Sequence, residues 1–355
     1  MINIEYLVDK YNLSIDTNSE LGKKVLNIIN KNTTDNNTIK IIFNSTKSYN
    51  KKNFDKITNT KIVELGYKFD TPVDFTKLIN LITILIGRVF NSDIILPDSV
   101  EKIICHDNSL FNLKIKNYPK KLKYLKFGTY FNQSVDFLPD KLEYLKFGND
   151  FNQPIKNLPN KLEYLYLGQR FNHDLDFLPE SIITLEFDYF YVFFSKSLDN
   201  LPFNLKSLSL SSKIYDNNNK LLSIVTPNYY NNLPDNISFL RISDLKNISK
   251  FPKKINKLIL INSDEFSNII NIDNHDKISE MEIHFIEMNI FDIFFSIKNM
   301  KKMKISSLYN KHNIYGESNN KYILFIEKKI KELNNLCNVK IDEKYGYYEY
   351  NFKKK

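Results

Sequence analysis

Residues Phe131 to Asp150 read FNQSVDFLPDKLEYLKFGND, and the next twenty, Phe151 to Arg170, read FNQPIKNLPNKLEYLYLGQR. The stretch before them, from Phe111, is FNLKIKNYPKKLKYLKFGTY, and the stretch after, from Phe171, is FNHDLDFLPESIITLEFDYF. The four starts are twenty residues apart and at least seven columns stay in register. Chance similarity does not do this; internal duplication does.

Each column has its own physical meaning. Leu142, Leu145 and Phe147 recur as Leu162, Leu165 and Leu167, then as Ile182, Leu185 and Phe187. That L-x-x-L-x-L spacing is a short strand entered from a turn, its last two apolar residues on one face because strand side chains alternate. Strands are therefore predicted at 143–147, 163–167 and 183–187. Gly128, Gly148 and Gly168 follow directly, where a sharp bend favours a residue that tolerates positive φ. An aromatic column (Phe111, Phe131, Phe151, Phe171) comes next, and beside it an asparagine column (Asn112, Asn132, Asn152, Asn172). The return arc supplies Ile115, Val135, Ile155 and Leu175, and Pro119, Pro139, Pro159 and Pro179 stiffen the approach to the next strand. The same skeleton drifts outward, upstream to Phe69 and Phe90 and downstream through Leu201-Pro202, Leu233-Pro234 and Phe251-Pro252. About a dozen coils result.

The ends differ. Residues 1–55 read as an N-terminal cap, with an amphipathic helix at Ser19–Asn30 feeding a strand at Thr38–Phe43. Residues 56–306 read as the repeat array. Residues 307–355 read as a C-terminal cap of loop, helix (Tyr322–Asn335) and a last strand through Leu336, Val339 and Ile341. An array of this kind exposes a sheet edge and apolar core at each end, so atypical terminal units are expected. Ser211–Ser223 and Tyr309–Lys321 break the period and are expected as surface loops.

The pattern F-N-x-x-[IVL]-x-x-L-P-x-x-L-x-x-L-x-L-G resembles the FNIP repeat, a leucine-rich-repeat relative abundant in social amoebae and in giant DNA viruses that infect amoebae. The match is strong over residues 111–187 and looser from Phe69 to Pro252. The predicted fold is an α/β repeat solenoid: a leucine-rich-repeat-like curved stack with one parallel sheet, a mostly irregular convex side, and helical elements near both ends. The resemblance implies a protein-interaction scaffold. Some members also carry an F-box that recruits ubiquitin ligase; residues 1–55 hold no recognisable F-box.

Composition narrows the function classes. Lys and Arg number 50 against 41 Asp and Glu, a formal charge of +9, yet the only arginines are Arg88, Arg170 and Arg241. Nucleic-acid readers cluster Arg, whose planar fork matches phosphates and guanine edges. Lysines interleaved with carboxylates read instead as a solvated surface, which argues against a nucleic-acid partner. Cys105 and Cys337 stand far apart, so neither a disulfide framework nor a zinc site is indicated, and a reducing, cytoplasmic setting is expected (host cytoplasm for a viral chain). Cys105 falls in the column of Phe127 and Phe147 and reads as a buried thiol. No signal peptide is expected at Met1–Glu5, and no membrane span, the best apolar run, Leu78–Phe90, being interrupted by Asn80, Gly87 and Arg88. The histidines (His106, His173, His275, His284, His312) lack metal-ligand spacing, and the glycines stand singly rather than in a phosphate-cradling loop. No enzyme, cofactor or metal is indicated.

Two functions remain. The first is a non-enzymatic scaffold binding a protein through the strand face. The outward x positions there give Tyr124, Tyr144 and Tyr164 in one column and Lys126, Lys146 and Tyr166 in the next. Tyr provides large contact area with few torsions, although Tyr ladders also simply stabilise exposed sheets. The second is an adaptor or assembly protein, for example toward ubiquitin machinery, using caps or inserted loops. Apart from these contacts, the asparagine column is expected as an inward ladder whose amides bond turn backbone away from water, with the Phe column stacked as core.

Overall fold

The computed structural model describes residues 39–46, 59–188, 194, 196–210, 233–242, 252–260, 278–283, 301–306, 328, 331–332, 337–344 and 347–354. The chain divides into two compact units, Met1–Ile182 and Ile183–Lys355.

In the first unit the strands are β1 (Ile39–Ser45), β2 (Thr60–Lys68), β3 (Val73–Asp74), β4 (Thr83–Ile86), β5 (Ile94–Ile95), β6 (Lys102–Cys105), β7 (Tyr124–Lys126), β8 (Tyr144–Lys146) and β9 (Tyr164–Leu167). All but β3 and β5 join one parallel sheet, in the order β1-β2-β4-β6-β7-β8-β9. The register follows the repeat residue for residue: Tyr124, Leu125 and Lys126 lie beside Tyr144, Leu145 and Lys146. Strands β3 and β5 form a separate parallel pair on the return arc.

Two tight turns frame each strand. The amide of Leu142 donates to the Pro139 carbonyl at 3.0 Å, and Leu122 and Leu162 repeat the bond onto Pro119 and Pro159. Proline has no amide to give, but its fixed φ suits the turn and its carbonyl still accepts. After the strand, Phe131, Phe151 and Phe171 donate to the carbonyls of Gly128, Gly148 and Gly168 at 3.3–3.4 Å. The glycines serve a different purpose from a left-handed bend. A Cβ on Gly148 would lie 2.0 Å from the Gly128 carbonyl oxygen, and one on Gly168 would lie 1.9 Å from that of Gly148. Successive coils touch backbone to backbone here, and only a hydrogen fits between them.

The core follows from the columns. Leu142, Leu145, Phe147, Phe151, Leu162, Leu165 and Leu167 are fully buried, and the arc residues Val135, Ile155 and Leu175 nearly so. Phe69, Phe90, Phe111, Phe131, Phe151 and Phe171 form one continuous file with ring centroids 5.9–6.3 Å apart. Phe127 and Phe147 close on that file from the strand side, each 3.6 Å from Phe131 and Phe151 respectively. Cys105 sits in the same buried layer, and burial pushes its thiol pKa up to about 12.

In the second unit β10 (Thr184–Phe187), β11 (Ser207–Ser209), β12 (Phe239–Ile242), β13 (Lys257–Leu260), β14 (Glu280–Ile283) and β15 (Lys302–Ser306) are again parallel neighbours in chain order. The expected ending is then corrected. The residues read as a last strand form β16 (Cys337–Lys344), which pairs antiparallel with β17 (Tyr347–Lys354). It is β17, not β16, that lies beside β15, also antiparallel. A hairpin thus closes the parallel sheet, its tip strand turning back to cover the edge that β15 would expose. The expected helix at Ser19–Asn30 and both inserted loops lie outside the described residues. At Tyr322–Asn335 only Lys328, Lys331 and Glu332 are described; their backbone is helical but they do not make up an element.

Candidate protein-binding face

Alternation along β7, β8 and β9 turns Leu125, Leu145 and Leu165 into the core and leaves their neighbours on the opposite face. Tyr124, Tyr144 and Tyr164 share one row there, half-buried and stacked nearly parallel. Ring centroids are 4.1 Å apart for the first pair and 4.3 Å for the second, with interplanar angles of 7° and 4°. The parallel register forces this: identical residues occupy identical rungs, and planar rings on adjacent rungs lie flat on each other. Stacking covers both faces of the middle ring, so ring edges and hydroxyl ends form the accessible surface.

The second row is more committed than its sequence suggests. Lys126 bonds Asp107 at 2.7 Å across the coil boundary, and that bond holds the Asp107 carboxyl below its usual pKa. Lys146 places its ammonium 3.9 Å above the Tyr166 ring. Tyr166, expected to stand open, is only 7 % exposed. The row therefore offers Lys stems and partly neutralised charge rather than a line of free cations. Elsewhere the lysines pair across coils in the same manner: Lys40 with Glu64, Lys116 with Asp93, Lys120 with Asp98 and Lys123 with Glu101. Such exposed pairs are worth ~0–1 kcal/mol each, and they intersperse the lysines of the first unit with carboxylates.

The asparagine column does form a ladder, but not an inward one. Asn112 donates its backbone amide to the side-chain oxygen of Asn91, Asn132 to Asn112, Asn152 to Asn132 and Asn172 to Asn152, at 2.8–3.0 Å. The first rung is an aspartate: Asn91 donates to Asp70 Oδ1 at 2.9 Å. These side chains are half-buried or exposed rather than enclosed. Among the described residues His106 accepts a local bond from Asn108 at Nδ1, and His173 Nε2 lies 3.1 Å from the Asn152 carbonyl oxygen. No described group of three or more His, Cys, Asp or Glu has metal-binding geometry. No described helix is long and apolar enough to cross a membrane.

Strand register, paired turns and a side-chain ladder all recur at one twenty-residue period, and the family comparison falls on that period. The FNIP Repeat model matches residues 111–150 and 151–190. Residues 111–190 carry the FNIP repeat. Among solved structures, CroV588, described as a novel circular LRR protein, aligns at a TM-score of 0.52 with 24% identity. The alignment covers 69% of this chain and 40% of CroV588, so this chain spans well under half of that protein's length. At that identity the likeness speaks for the leucine-rich-repeat-like fold alone. A comparison with curated proteins finds no match. One further feature, a lysine-lined cleft at the C-terminal hairpin, gives no signal in the repeat pattern because it depends on antiparallel pairing outside the repeats.

Proposed function

We propose that this chain is a non-enzymatic protein-interaction scaffold that engages a partner protein through the strand face of its FNIP repeats, in the cytoplasm. The observation that carries the reading is the stacked row of Tyr124, Tyr144 and Tyr164. A rigid aromatic row gives up little side-chain entropy on binding, because stacking has already fixed its torsions. The flanking lysines, held by Asp107 and by the Tyr166 ring, add orientation at the rim without a large desolvation cost. The same stacking disfavours a nucleic-acid partner: bases stack on open aromatic faces, and Tyr144 has none to offer. Repeat solenoids in general use such extended sheet faces for partner binding.

The competing reading is a purely structural ladder, and the two differ in what the chain does without the row. The intact chain and a Tyr124→Ala/Tyr144→Ala/Tyr164→Ala variant are compared by affinity capture and by thermal melt. On the scaffold reading the variant loses its specific partner while its melt still shows one cooperative transition. Unchanged capture by a variant that melts markedly lower would make the row a stabilising device and refute the proposal.

A further inference from the structure

The second unit carries a cleft of about 460 Å³ formed where β13, β14 and β15 meet the C-terminal hairpin. Its lining includes five lysines, Lys257, Lys302, Lys304, Lys340 and Lys353, against two carboxylates, Glu280 and Glu282. Register explains the gathering. One row crosses the sheet as Lys257, Glu280, Lys302, Lys353 and Asn338, and the next as Ile259, Glu282, Lys304, Asn351 and Lys340. Both glutamates are already engaged, Glu280 with Lys302 at 3.1 Å and Glu282 with Lys304 at 3.2 Å. The lining therefore holds more lysines than carboxylates in a concave place, where low-dielectric walls focus the field.

Lys302 and Lys353 are direct cross-strand partners in the β15–β17 pair. Like charges placed opposite each other oppose strand pairing. The hairpin tolerates that opposition at the junction that closes the sheet. Glu280 already pairs with Lys302 at 3.1 Å; an anion reaching Lys353 would relieve the opposition that is left, so binding and closure of the sheet support one another.

We propose that this cleft binds an acidic peptide segment of a partner protein. Charge complementarity selects the carboxylates. The methylene stems of the lysines give the lining apolar surface, which suits a peptide with side chains better than a bare phosphate chain. The site is separate from the tyrosine row and stands or falls independently of it.

The test uses the full chain and a fluorescein-labelled poly-glutamate peptide followed by anisotropy. The intact chain binds, and affinity falls as salt rises. Lys257→Gln/Lys353→Gln weakens binding roughly tenfold, Lys257→Arg/Lys353→Arg retains it, and exposed Lys141→Gln in the first unit changes nothing. The Gln variant still melts in one cooperative transition, so any loss of binding is not a loss of fold. No binding by the intact chain, equal binding by the Gln variant, or tighter binding of an oligouridylate of equal charge overturns the proposal.

Discussion

Replacing Asn152 by alanine or by aspartate separates what the asparagine ladder does from what its repetition in the sequence suggests. Asn152 occupies two rungs: its amide donates to Asn132 Oδ1 at 2.9 Å, and its own Oδ1 accepts from Asn172 at 3.0 Å. Alanine keeps the first bond and removes the second. Because the site is exposed, water can reach the stranded Asn172 amide, and the penalty for a buried unpaired donor does not apply. The expected loss is that of one net hydrogen bond, ~0.5–1.5 kcal/mol. Aspartate keeps the acceptor and adds charge, as Asp70 already does for Asn91 at 2.9 Å. Charge-assisted bonds are stronger, so Asn152→Asp is expected within ~0.5 kcal/mol of wild type at neutral pH. Urea midpoints of the two variants, with exposed Asn157→Ala on the arc as reference, measure this. A loss of ~3 kcal/mol or more for Asn152→Asp would mean that the amide hydrogens, in an enclosed site, carry the ladder, and the acceptor argument would fail.

Two other substitutions probe the backbone contact and the buried thiol. Gly148→Ala forces a methyl to 2.0 Å from the Gly128 carbonyl oxygen, which no rotamer can relieve, so a loss of ~3 kcal/mol or more is expected in a thermal or urea melt; a variant within ~1 kcal/mol of wild type would show that the coils part easily. Cys105, with its pKa raised from 9.0 to about 12, stays a neutral thiol when folded. Its contribution to stability is full below about 9.0 and fades as pH climbs toward about 12. In the native chain it should resist maleimide at neutral pH and react once urea unfolds the protein; rapid native labelling at Cys105 would contradict its burial.

Whatever repeats was legible. The strands at 144–146, 164–167 and 184–187 fall within the spans read from L-x-x-L-x-L, and the phenylalanine file lies where its column puts it. Apolar columns are legible because burial tolerates few residue types. The direction in which a polar column faces is a different matter. An asparagine every twenty residues is equally compatible with an enclosed amide and with an exposed acceptor, and only Asp70 at the head of the column favours the second. The glycines posed a similar ambiguity, since a tight bend and a backbone contact both demand the absence of a Cβ. Strand β17 was missed although Tyr348, Tyr350 and Phe352 alternate with Glu349, Asn351 and Lys353, a period-two signal. A search keyed to the repeat passes over a strand that belongs to no repeat. The tyrosine row was placed from spacing, whereas the covering of Tyr166 by Lys146 depends on rotamers, which spacing does not specify.

The core and the outer arc of these coils keep different periods. Core columns recur every twenty residues because each coil must present the same shape to its neighbours. On the arc the chain reads IKNYP at 115–119, VDFLP at 135–139, IKNLP at 155–159 and LDFLP at 175–179, so Lys116, Asp136, Lys156 and Asp176 alternate in charge from coil to coil. Phe137 and Phe177 alternate with Asn117 and Asn157 and are strongly exposed, at 79 % and 62 %. Packing cannot impose a period on side chains that scarcely touch the stack. The two segments matched by the FNIP Repeat model, 111–150 and 151–190, each span a pair of coils. A forty-residue period on the arc laid over a twenty-residue core period is the pattern that duplication of a two-coil unit would leave: stacking keeps the core alike in every coil, while the exposed arc is free to keep the difference between the two members of a pair.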